Sequence, residues 1–326
     1  MLKDTHNRTH TYLRISLTDN CNLRCFYCMP EEEYAFMPNR QLMQADEIHS
    51  LASLFVEQGV NKIRLTGGEP LVRKDAAQII RSLGNLGVEL TITTNGTRVH
   101  SFIDDFIAAG IRSVNVSLDT LQKDKFQLLT RRDQFDIVKQ NIQLLLDKQF
   151  RVKVNMVVVK GLNDNEILDF IEWTKHTPVH IRFIEFMPFN GNQWESDKLV
   201  TWKEILEMVQ AKYTVTAMEN APHDTCKKYQ AVNHKGTFAV ISTMSAPFCG
   251  SCNRIRLTAD GKIKNCLFSE EETDLLTALR NKEELLPLIE RSILSKHKEL
   301  GGQFSKDFTL IDTNTLHNRS MIAIGG

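Results

Sequence analysis

An excess of charge of one sign is absent from this sequence. The 326 residues include 40 Lys+Arg and 40 Asp+Glu, which gives a formal net charge of zero at pH 7. A protein that attracts nucleic acid or an anionic membrane by its bulk charge needs a net positive charge. We therefore expect no nucleic acid and no membrane among the partners, and an anion site has to come from basic residues that cluster locally.

Long apolar runs are absent as well. Residues 1–10 are polar and lack the apolar core of a signal peptide, and no run is long enough to span a bilayer. Solenoid-type repeats and low-complexity linkers are also missing. The sequence therefore predicts a cytoplasmic globular protein, and its 42% hydrophobic residues suffice for a packed core.

The cysteines have an arrangement that does not suit disulfide bonds. Six of the seven cysteines form two tight groups, each with an odd number of thiols. The groups have the spacings C-x3-C-x2-C and C-x2-C-x13-C: Cys21, Cys25 and Cys28; Cys249, Cys252 and Cys266. Grouped cysteines in a reducing compartment indicate a metal site. Cys226 stands apart, and we interpret it as an ordinary, partly buried thiol.

Three thiols leave a metal site incomplete. A structural zinc ion takes four ligands, and a cubane iron–sulfur cluster normally has one cysteine on each of its four irons. Each group therefore either recruits a distant fourth ligand or holds a cluster with one iron open for another molecule. A zinc ribbon is the ordinary alternative for the second group, although it would need one more ligand.

Strand-like and helix-like segments alternate over residues 12–186. The predicted strands cover 12–18, 62–66, 89–94, 113–118, 152–159 and 180–186, and the predicted helices cover 46–58, 75–86, 101–109, 135–149 and 165–176. This alternation predicts an α/β protein in which right-handed crossovers join the strands of a parallel sheet. We expect a partial (β/α)6 TIM-type barrel, with ligands at the C-terminal ends of its strands.

The pattern changes in the C-terminal third of the chain. The predicted elements there are a helix over 202–212, β-like segments at 229–231 and 237–241, and two helices between residues 273 and 298. We expect residues 1–220 to form the barrel. Residues 221–326 are expected to form an α+β extension that closes the barrel mouth.

A glycine-rich loop, Gly67-Gly68-Glu69-Pro70, follows the second predicted strand. Two glycines and a proline exclude regular structure and let a ligand approach the backbone. Together with C-x3-C-x2-C and Tyr27 before its last cysteine, this loop resembles the radical S-adenosylmethionine (SAM) superfamily. The resemblance implies that Cys21, Cys25 and Cys28 hold a [4Fe–4S] cluster whose open iron binds SAM. It also implies that SAM contacts Tyr27, Gly67, Gly68, Glu69, Ser117 and Met187.

The second cysteine group is close to Arg254 and Arg256, which stand two apart in a β-like run and can project to one face as a fork for phosphate oxygens. A solvated strand face is the ordinary interpretation of such a pair. The stretch resembles the GTP 3′,8-cyclase (MoaA) family, and the resemblance extends over nearly the whole chain: residues 12–19, 62–66, 115–121, 160–164, 182–185 and the terminal Gly325-Gly326.

The resemblance implies a second [4Fe–4S] cluster, on Cys249, Cys252 and Cys266, whose open iron binds the guanine of GTP. It implies GTP contacts from basic and polar residues: Arg14, Lys62, Arg64, Thr93, Lys153, Arg182, Arg254 and Arg256. The resemblance also implies that Arg14 and the terminal glycines, Gly325 and Gly326, are catalytic residues. The paired glycines of the family reach into the active site.

The implied reaction begins with reductive cleavage of SAM to a 5′-deoxyadenosyl radical, which removes a hydrogen from C3′ of the GTP ribose. The C3′ radical then attacks C8, and the product is (8S)-3′,8-cyclo-7,8-dihydroguanosine 5′-triphosphate, the first intermediate of molybdenum cofactor biosynthesis. The implied partners are GTP, a reducing electron donor, the next pathway enzyme (cyclic pyranopterin monophosphate synthase) and a second copy of the chain in a homodimer.

Two other functions fit parts of the pattern. A radical SAM maturase that modifies peptides also carries auxiliary clusters, but it usually has a longer set of C-terminal cysteines and does not need Arg254 and Arg256. A zinc-stabilised module that binds nucleic acid would contain zinc and no iron. Metal analysis and the fate of GTP separate these alternatives from the cyclase.

Overall fold

The computed structural model describes residues 1–29, 34–304 and 307–325. Within these ranges the strands are β1 (Tyr12–Ser16), β2 (Lys62–Thr66), β3 (Glu89–Thr94), β4 (Ser113–Ser117), β5 (Arg151–Val158), β6 (His180–Glu185), β7 (Val215–Ala217), β8 (Lys227–Ala231), β9 (Thr237–Ile241), β10 (Arg254–Leu257), β11 (Lys262–Lys264) and β12 (Thr273–Asp274). They form one sheet in the order β12-β11-β10-β1-β2-β3-β4-β5-β6-β9-β8-β7.

Strands β1 to β6 pair in sequence order, each parallel to the next. This arrangement confirms the predicted parallel sheet of a partial barrel. The C-terminal part continues the same sheet at both edges, because β9 pairs parallel to β6 and β10 pairs parallel to β1. The outer strands β7, β8, β11 and β12 pair antiparallel.

The described helices are α1 (Ala45–Glu57), α2 (Ala76–Gly84), α3 (Ile103–Ala108), α4 (Lys123–Thr130), α5 (Phe135–Asp147), α6 (Ile167–Trp173), α7 (Trp202–Gln210), α8 (Leu275–Arg280), α9 (Leu286–Leu294) and α10 (Met321–Ile324). Local sequence explains where several begin. Helix α7 starts in a capping box in which the Thr201 hydroxyl accepts from the Glu204 amide and the Glu204 carboxylate accepts from the Thr201 amide.

Alternation along β1 divides the sheet into an apolar and a polar face. Leu13 and Ile15 are fully buried and belong to one apolar cluster with Leu51 and Phe55 of α1. Each such side chain contributes about 1.5–3 kcal/mol to folding. The neighbouring β1 side chains, which include Arg14, point to the other face, which is the barrel interior. In a closed TIM barrel that interior is filled by branched apolar side chains. The interior of this barrel is therefore polar.

The C-terminal segment is connected to the barrel through the sheet. The chain leaves the C-terminal end of β9 and reaches the start of β10 at the opposite edge of the six-stranded core, so residues 242–253 cross the open side of the sheet. The division of the chain at residue 220 stays a prediction. Among the described helices, none combines the length and the apolarity needed to cross a membrane.

Candidate functional site

The first cysteine group lines a cavity at the C-terminal ends of the barrel strands. Eight of the predicted site residues lie in its wall: Cys21, Cys25, Tyr27, Cys28, Gly67, Gly68, Thr93 and Ser117. All three thiols are free. Burial raises the pKa of each, that of Cys21 to about 11, so the thiolate form requires a bound cation. Three partly buried thiols around one cavity fit a [4Fe–4S] cluster that takes one thiolate on each of three irons.

The glycine-rich loop lies directly against the segment that leads into the cysteines. The amide of Gly68 donates to the Thr18 carbonyl at 2.7 Å, and the amide of Glu69 donates to the Asn20 carbonyl at 2.8 Å. A Cβ atom on Gly68 would lie 2.5 Å from the carbonyl oxygens of Asp19 and Asn20. Only glycine permits this backbone approach, so the two loops form one wall of the cavity.

Glu69 and Met187 are not among the side chains that line this cavity. The carboxylate of Glu69 is fully buried and accepts from the amides of Leu71 and Asn95, at 3.0 and 2.6 Å, and from the hydroxyl of Thr94. Burial raises the pKa of Glu69 to about 7. Met187 instead packs in the apolar cluster that contains Phe268. The predicted contacts of both residues with SAM stay predictions.

Glu69 positions the end of strand β3. The amide that it fixes belongs to Asn95, whose side chain donates to Asn22 at 2.8 Å and lies 3.7 Å from the sulfur of Cys21. On the far wall, the Tyr27 hydroxyl donates to Asp119 at 2.8 Å, and the other oxygen of Asp119 accepts from the Val157 amide. Buried carboxylates thus hold the loops around the first cysteine group in place.

The polar face of the barrel collects cationic side chains from several strands. In the strand register, Arg14 stands between Arg64 and Arg256, and Tyr12 stands between Lys62 and Arg254. Strands β5 and β6 add Lys153 and Arg182. The structure therefore brings together the seven basic residues among the eight predicted GTP contacts on one concave face: Arg14, Lys62, Arg64, Lys153, Arg182, Arg254 and Arg256.

These cations are partly desolvated and repel one another. Burial, together with neighbouring positive charges, lowers the pKa of Arg14 and of Arg182 to about 10, and that of Lys153 to about 8. Some have protein partners: Arg64 donates to Tyr12, and Arg182 donates to Asn155 at 2.8 Å. A polyanion placed among them would relieve this repulsion, which is the electrostatic signature of a phosphate site.

The second cysteine group lines a cavity beside β10. Its wall contains the predicted ligands and both arginines: Cys249, Cys252, Cys266, Arg254 and Arg256. Burial raises the pKa of Cys252, but the charges of Arg254 and Lys296 outweigh burial and lower it to about 6. Lys296 is buried and donates to the Arg254 carbonyl at 2.9 Å, with its ammonium 3.5 Å from the Cys252 sulfur. This donor set also fits a [4Fe–4S] cluster.

Across the described parts of the chain, no three His, Cys, Asp or Glu side chains stand close enough together to hold a single metal ion. In both groups the thiols are spread around a cavity instead. The N-terminal segment supports the second group, because Arg8 donates to the Cys249 carbonyl at 2.9 Å and pairs with Asp4 at 2.6 Å.

The C-terminal tail returns to the barrel. Met321 and Ile322 of α10 line the first cavity, and the Gly325 carbonyl accepts from Arg256 at 2.7 Å. A Cβ atom on Gly325 would lie 2.7 Å from the Thr66 hydroxyl. The structure therefore brings Gly325 to the polar interior, whereas Gly326 lies outside the described residues.

Tyr12, Cys226 and Lys296 are among the residues near the site that carried no predicted role. Tyr12 lies in the same strand phase as Arg14, so the alternation along β1 contained the signal that could have found it. Cys226, interpreted as an ordinary thiol, is close enough to Arg182 and Lys153 for their charges to lower its pKa, although burial raises that pKa overall. No motif or spacing in the sequence indicated a role for Lys296.

Two family profiles together cover most of the chain. Residues 15–174 match the Radical SAM superfamily, and residues 179–301 match the family Molybdenum Cofactor Synthesis C. The GTP 3′,8-cyclase of Listeria welshimeri is 40% identical, in an alignment that covers 100% of this chain and 99% of the relative. The chain belongs to the GTP 3′,8-cyclase family. The family expected from the sequence motifs is thereby confirmed.

Other relatives of this GTP 3′,8-cyclase family member differ in length. The mitochondrial GTP 3′,8-cyclase of Arabidopsis thaliana is 44% identical, over 100% of this chain and 84% of the relative. Molybdenum cofactor biosynthesis protein 1 of Drosophila melanogaster is 44% identical over 91% of this chain. The chain spans about half the length of the molybdenum cofactor biosynthesis protein 1 relatives, 54% for the fly protein.

Solved structures support the fold. The structure of Streptococcus suis SuiB bound to S-adenosylmethionine superposes with a TM-score of 0.60, at 15% sequence identity, over 90% of this chain and 70% of that one. At this identity the likeness concerns the fold alone. It agrees with the partial barrel predicted for the radical SAM superfamily.

Proposed function

We propose that this member of the GTP 3′,8-cyclase family converts GTP to (8S)-3′,8-cyclo-7,8-dihydroguanosine 5′-triphosphate. The observation that carries the proposal is the concave cationic face between the two cysteine-lined cavities, to which β1, β2, β5, β6 and β10 all contribute. A triphosphate carries about four negative charges, and seven basic side chains on one face can neutralise it.

The two cysteine groups would hold two [4Fe–4S] clusters. Cys21, Cys25 and Cys28 would hold the one that binds SAM, and Cys249, Cys252 and Cys266 the one that binds the substrate base. When bound, the first cluster and SAM supply the one-electron chemistry that removes a hydrogen from the ribose.

The chain itself supplies binding and orientation. Arg64, Lys153 and Arg182 would bind phosphate oxygens, whereas Arg254 and Arg256 stand beside the second cysteine group. Because the cations occupy fixed positions in a hydrogen-bonded strand register, a bound triphosphate would hold the ribose at a fixed distance from the first cavity. The place of Tyr27, Gly67, Gly68 and Ser117 in the wall of that cavity supports their proposed contacts with SAM.

The remaining expectations belong to the same proposal. A reducing electron donor, a hand-off of product to cyclic pyranopterin monophosphate synthase, a homodimer and a cytoplasmic location would all accompany a cyclase. The Arabidopsis relative, by contrast, is named as mitochondrial.

The decisive experiment is an anaerobic incubation of the reconstituted protein with dithionite, SAM and GTP. We expect 5′-deoxyadenosine and a cyclised nucleotide in equal amounts. A protein that forms 5′-deoxyadenosine while GTP remains intact would point to a peptide-modifying maturase. Stoichiometric zinc after anaerobic purification, with no iron, would contradict both radical functions and favour the zinc-stabilised module.

A Cys266→Ala variant separates the two cysteine groups. We expect it to cleave SAM but to bind GTP weakly, because the base would lose its cluster while the first cavity stays intact. Unchanged GTP affinity in this variant would contradict the assignment of the second group.

A further inference from the structure

We propose that Tyr12 is the internal counter-anion of the triphosphate site and that it takes up a proton when the triphosphate of GTP enters. This inference rests on the proposed function. It concerns a side chain to which neither the sequence motifs nor the family resemblance gave a role.

The geometry places the phenol in the middle of the cationic face. Arg64 donates through Nε to the Tyr12 hydroxyl. The Lys62 ammonium lies 5.5 Å from the centre of the Tyr12 ring. In the strand register Tyr12 is flanked by Lys62 on β2 and by Arg254 on β10. A phenol oxygen held by a guanidinium and surrounded by further cations is in a position to carry negative charge.

Charged groups surround Tyr12 from every neighbouring element. They are Arg14 on its own strand, Lys62, Arg64 and Glu89 from β2 and β3, Arg254 and Arg256 from β10, and Lys153, His180 and Arg182 from β5 and β6. Glu89 is half exposed and pairs with Lys62 at 2.9 Å. Asp224 and Cys226 approach the opposite side, where they act on His180 and on Arg182 respectively. Unlike Glu89, Asp224 and Cys226, Tyr12 forms a hydrogen bond with Arg64.

The balance of these charges favours the phenolate near neutral pH. Burial raises the pKa of Tyr12, but the positive charges of Arg64, Arg14 and Lys62 outweigh burial and lower that pKa to about 7. The reciprocal effect is visible on Arg14, whose lowered pKa is partly restored by Tyr12. Above neutral pH the free protein therefore pairs these cations with an anion of its own.

A triphosphate competes for the same cations. Its negative charges, placed beside Arg64 and Arg14, remove the stabilisation of the phenolate and add like-charge repulsion, so the pKa of Tyr12 rises. The phenolate then takes a proton from solvent and becomes a phenol, and the O–H group can donate a hydrogen bond to a phosphate oxygen. No covalent bond forms or breaks other than this O–H bond. The site thus exchanges an internal anion for the substrate.

Lys153 also titrates in this range and has to be separated from Tyr12. Burial and the nearby charge of Arg182 lower the pKa of Lys153 to about 8, so an arriving polyanion would return a proton to it. His180, with its pKa lowered to about 3 by burial and by the charge of Arg182, stays neutral throughout. The difference between the wild type and a Tyr12→Phe variant isolates the contribution of Tyr12, because Lys153 is present in both.

The test is isothermal titration calorimetry of the anaerobic holoenzyme with GTP at pH 8, in Tris and in HEPES. The dependence of the heat on the ionisation enthalpy of the buffer gives the number of protons taken up. We expect the wild type to take up about 0.9 proton more per GTP than Tyr12→Phe, from a pKa near 7 in the free protein. The GTP affinity of the wild type would accordingly fall about eightfold more per pH unit than that of the variant.

A matched control removes a tyrosine hydroxyl elsewhere. The Tyr213 hydroxyl donates to Glu172 at 2.8 Å, and burial together with Glu172 raises its pKa to about 12. Tyr213→Phe is expected to retain the proton uptake of the wild type. Equal uptake by the wild type and Tyr12→Phe, with GTP bound by both, would overturn the inference and leave the proposed function intact. Absence of GTP binding by the wild type would overturn the proposed function and the inference with it.

A second measurement needs no variant. The chain has five tyrosines, and labelling them with ¹³C at Cζ allows each phenol to be followed by NMR. We expect one resonance to move to the tyrosinate position with a midpoint near pH 7 and to return to the phenol position when GTP is added at pH 8. A spectrum without tyrosinate at pH 9 would overturn the inference.

Discussion

The guanidinium of Arg256 donates to the carbonyl oxygen of Gly325 at 2.7 Å, which joins strand β10 to the C-terminal tail. Gly325 has a φ of +87°, and a Cβ atom there would lie 2.7 Å from the Thr66 hydroxyl and 2.8 Å from the Ser16 Cβ. The tail therefore fits against the ends of β1 and β2 only as glycine. Its carbonyl engages an arginine that we place in the substrate site.

Gly325→Ala is expected to lower the rate of GTP conversion at least tenfold. The methyl group would push the tail from the ends of β1 and β2, and a displacement that costs about 1.4 kcal/mol in the transition state lowers the rate tenfold. Gly110→Ala is the matched control, since Gly110 also has a positive φ, +71°, but nothing lies within 4 Å of the added Cβ. The control should lose about 1 kcal/mol of stability and keep its turnover. Full turnover in Gly325→Ala would show that the tail has no catalytic role.

The iron content of variants should separate the cysteines that hold clusters from Cys226, which lies outside both groups. We expect about eight irons per chain in the wild type and about four after Cys252→Ala, because one of two cubanes is lost. Cys226→Ala removes the thiol outside both groups and should retain about eight. The measurement is a colorimetric iron and sulfide assay on anaerobically reconstituted protein. A wild type with about four irons would contradict the second cluster.

Lys296→Met should lower the reduction potential of the second cluster. The buried ammonium 3.5 Å from the Cys252 sulfur stabilises the more negative, reduced state of any cluster bound there. An EPR-monitored redox titration measures the potential. Lys298→Met, two residues away with an exposed side chain, should leave it unchanged. The same potential in Lys296→Met and the wild type would show that this lysine has only a packing role.

His10 should contribute a loss of stability as the pH drops from 7 to 5, while Glu69 and Asp119, whose pKa values are raised to about 7 and about 6, act in the opposite direction. The His10 side chain is fully buried, and burial together with the Lys296 charge lowers its pKa to about 4. Over this interval the unfolded histidine, with a pKa near 6.5, binds a proton that the folded one does not, so acid favours unfolding by about 2 kcal/mol at pH 5. Asp4, with its pKa lowered to about 2, keeps its charge throughout.

Urea unfolding at several pH values measures this effect. Between pH 7 and pH 5 the free energy of unfolding of His10→Gln should fall by about 2 kcal/mol less than that of the wild type, whereas replacement of the exposed His176 should leave the wild-type change as it is. His180, with its pKa lowered to about 3, contributes in the same direction as His10 and is present in both proteins. An unchanged slope in His10→Gln would contradict the assignment.

The barrel strands were predictable because apolar, strand-like segments alternate along the chain with helix-like segments, whose apolar residues have helical spacing. Strands β2 and β3 have the predicted bounds, and helix α1 is shifted by one residue. Helix α4 escaped prediction because its mixed sequence buries little beyond Phe126, Leu129 and Thr130. The parallel pairing of β10 with β1 could not be predicted either, since it joins residues more than 240 positions apart and depends on the path of the whole chain.

The site was predictable where a residue's chemistry is local. The spacing of the cysteines predicted both sites, and the glycine-rich loop supported the first of them. Glu69 shows the limit of such reasoning, because its carboxylate is directed to the amides of Leu71 and Asn95 by packing that no motif records. The roles assigned to individual residues stay predictions.

The parallel strand pair β1 and β10 sets the distance between the two cysteine groups. Cys21 lies beyond the C-terminal end of β1, and Cys252 lies before the N-terminal end of β10, so the two cysteine groups are at opposite ends of one strand pair. Inserting one residue between Tyr12 and Arg14 would lengthen the span by about 3.3 Å and, with Tyr12 held in register, turn Arg14 to the other face. Point substitutions can tune the charge between the two groups, whereas their separation depends on the number of residues in the strand pair.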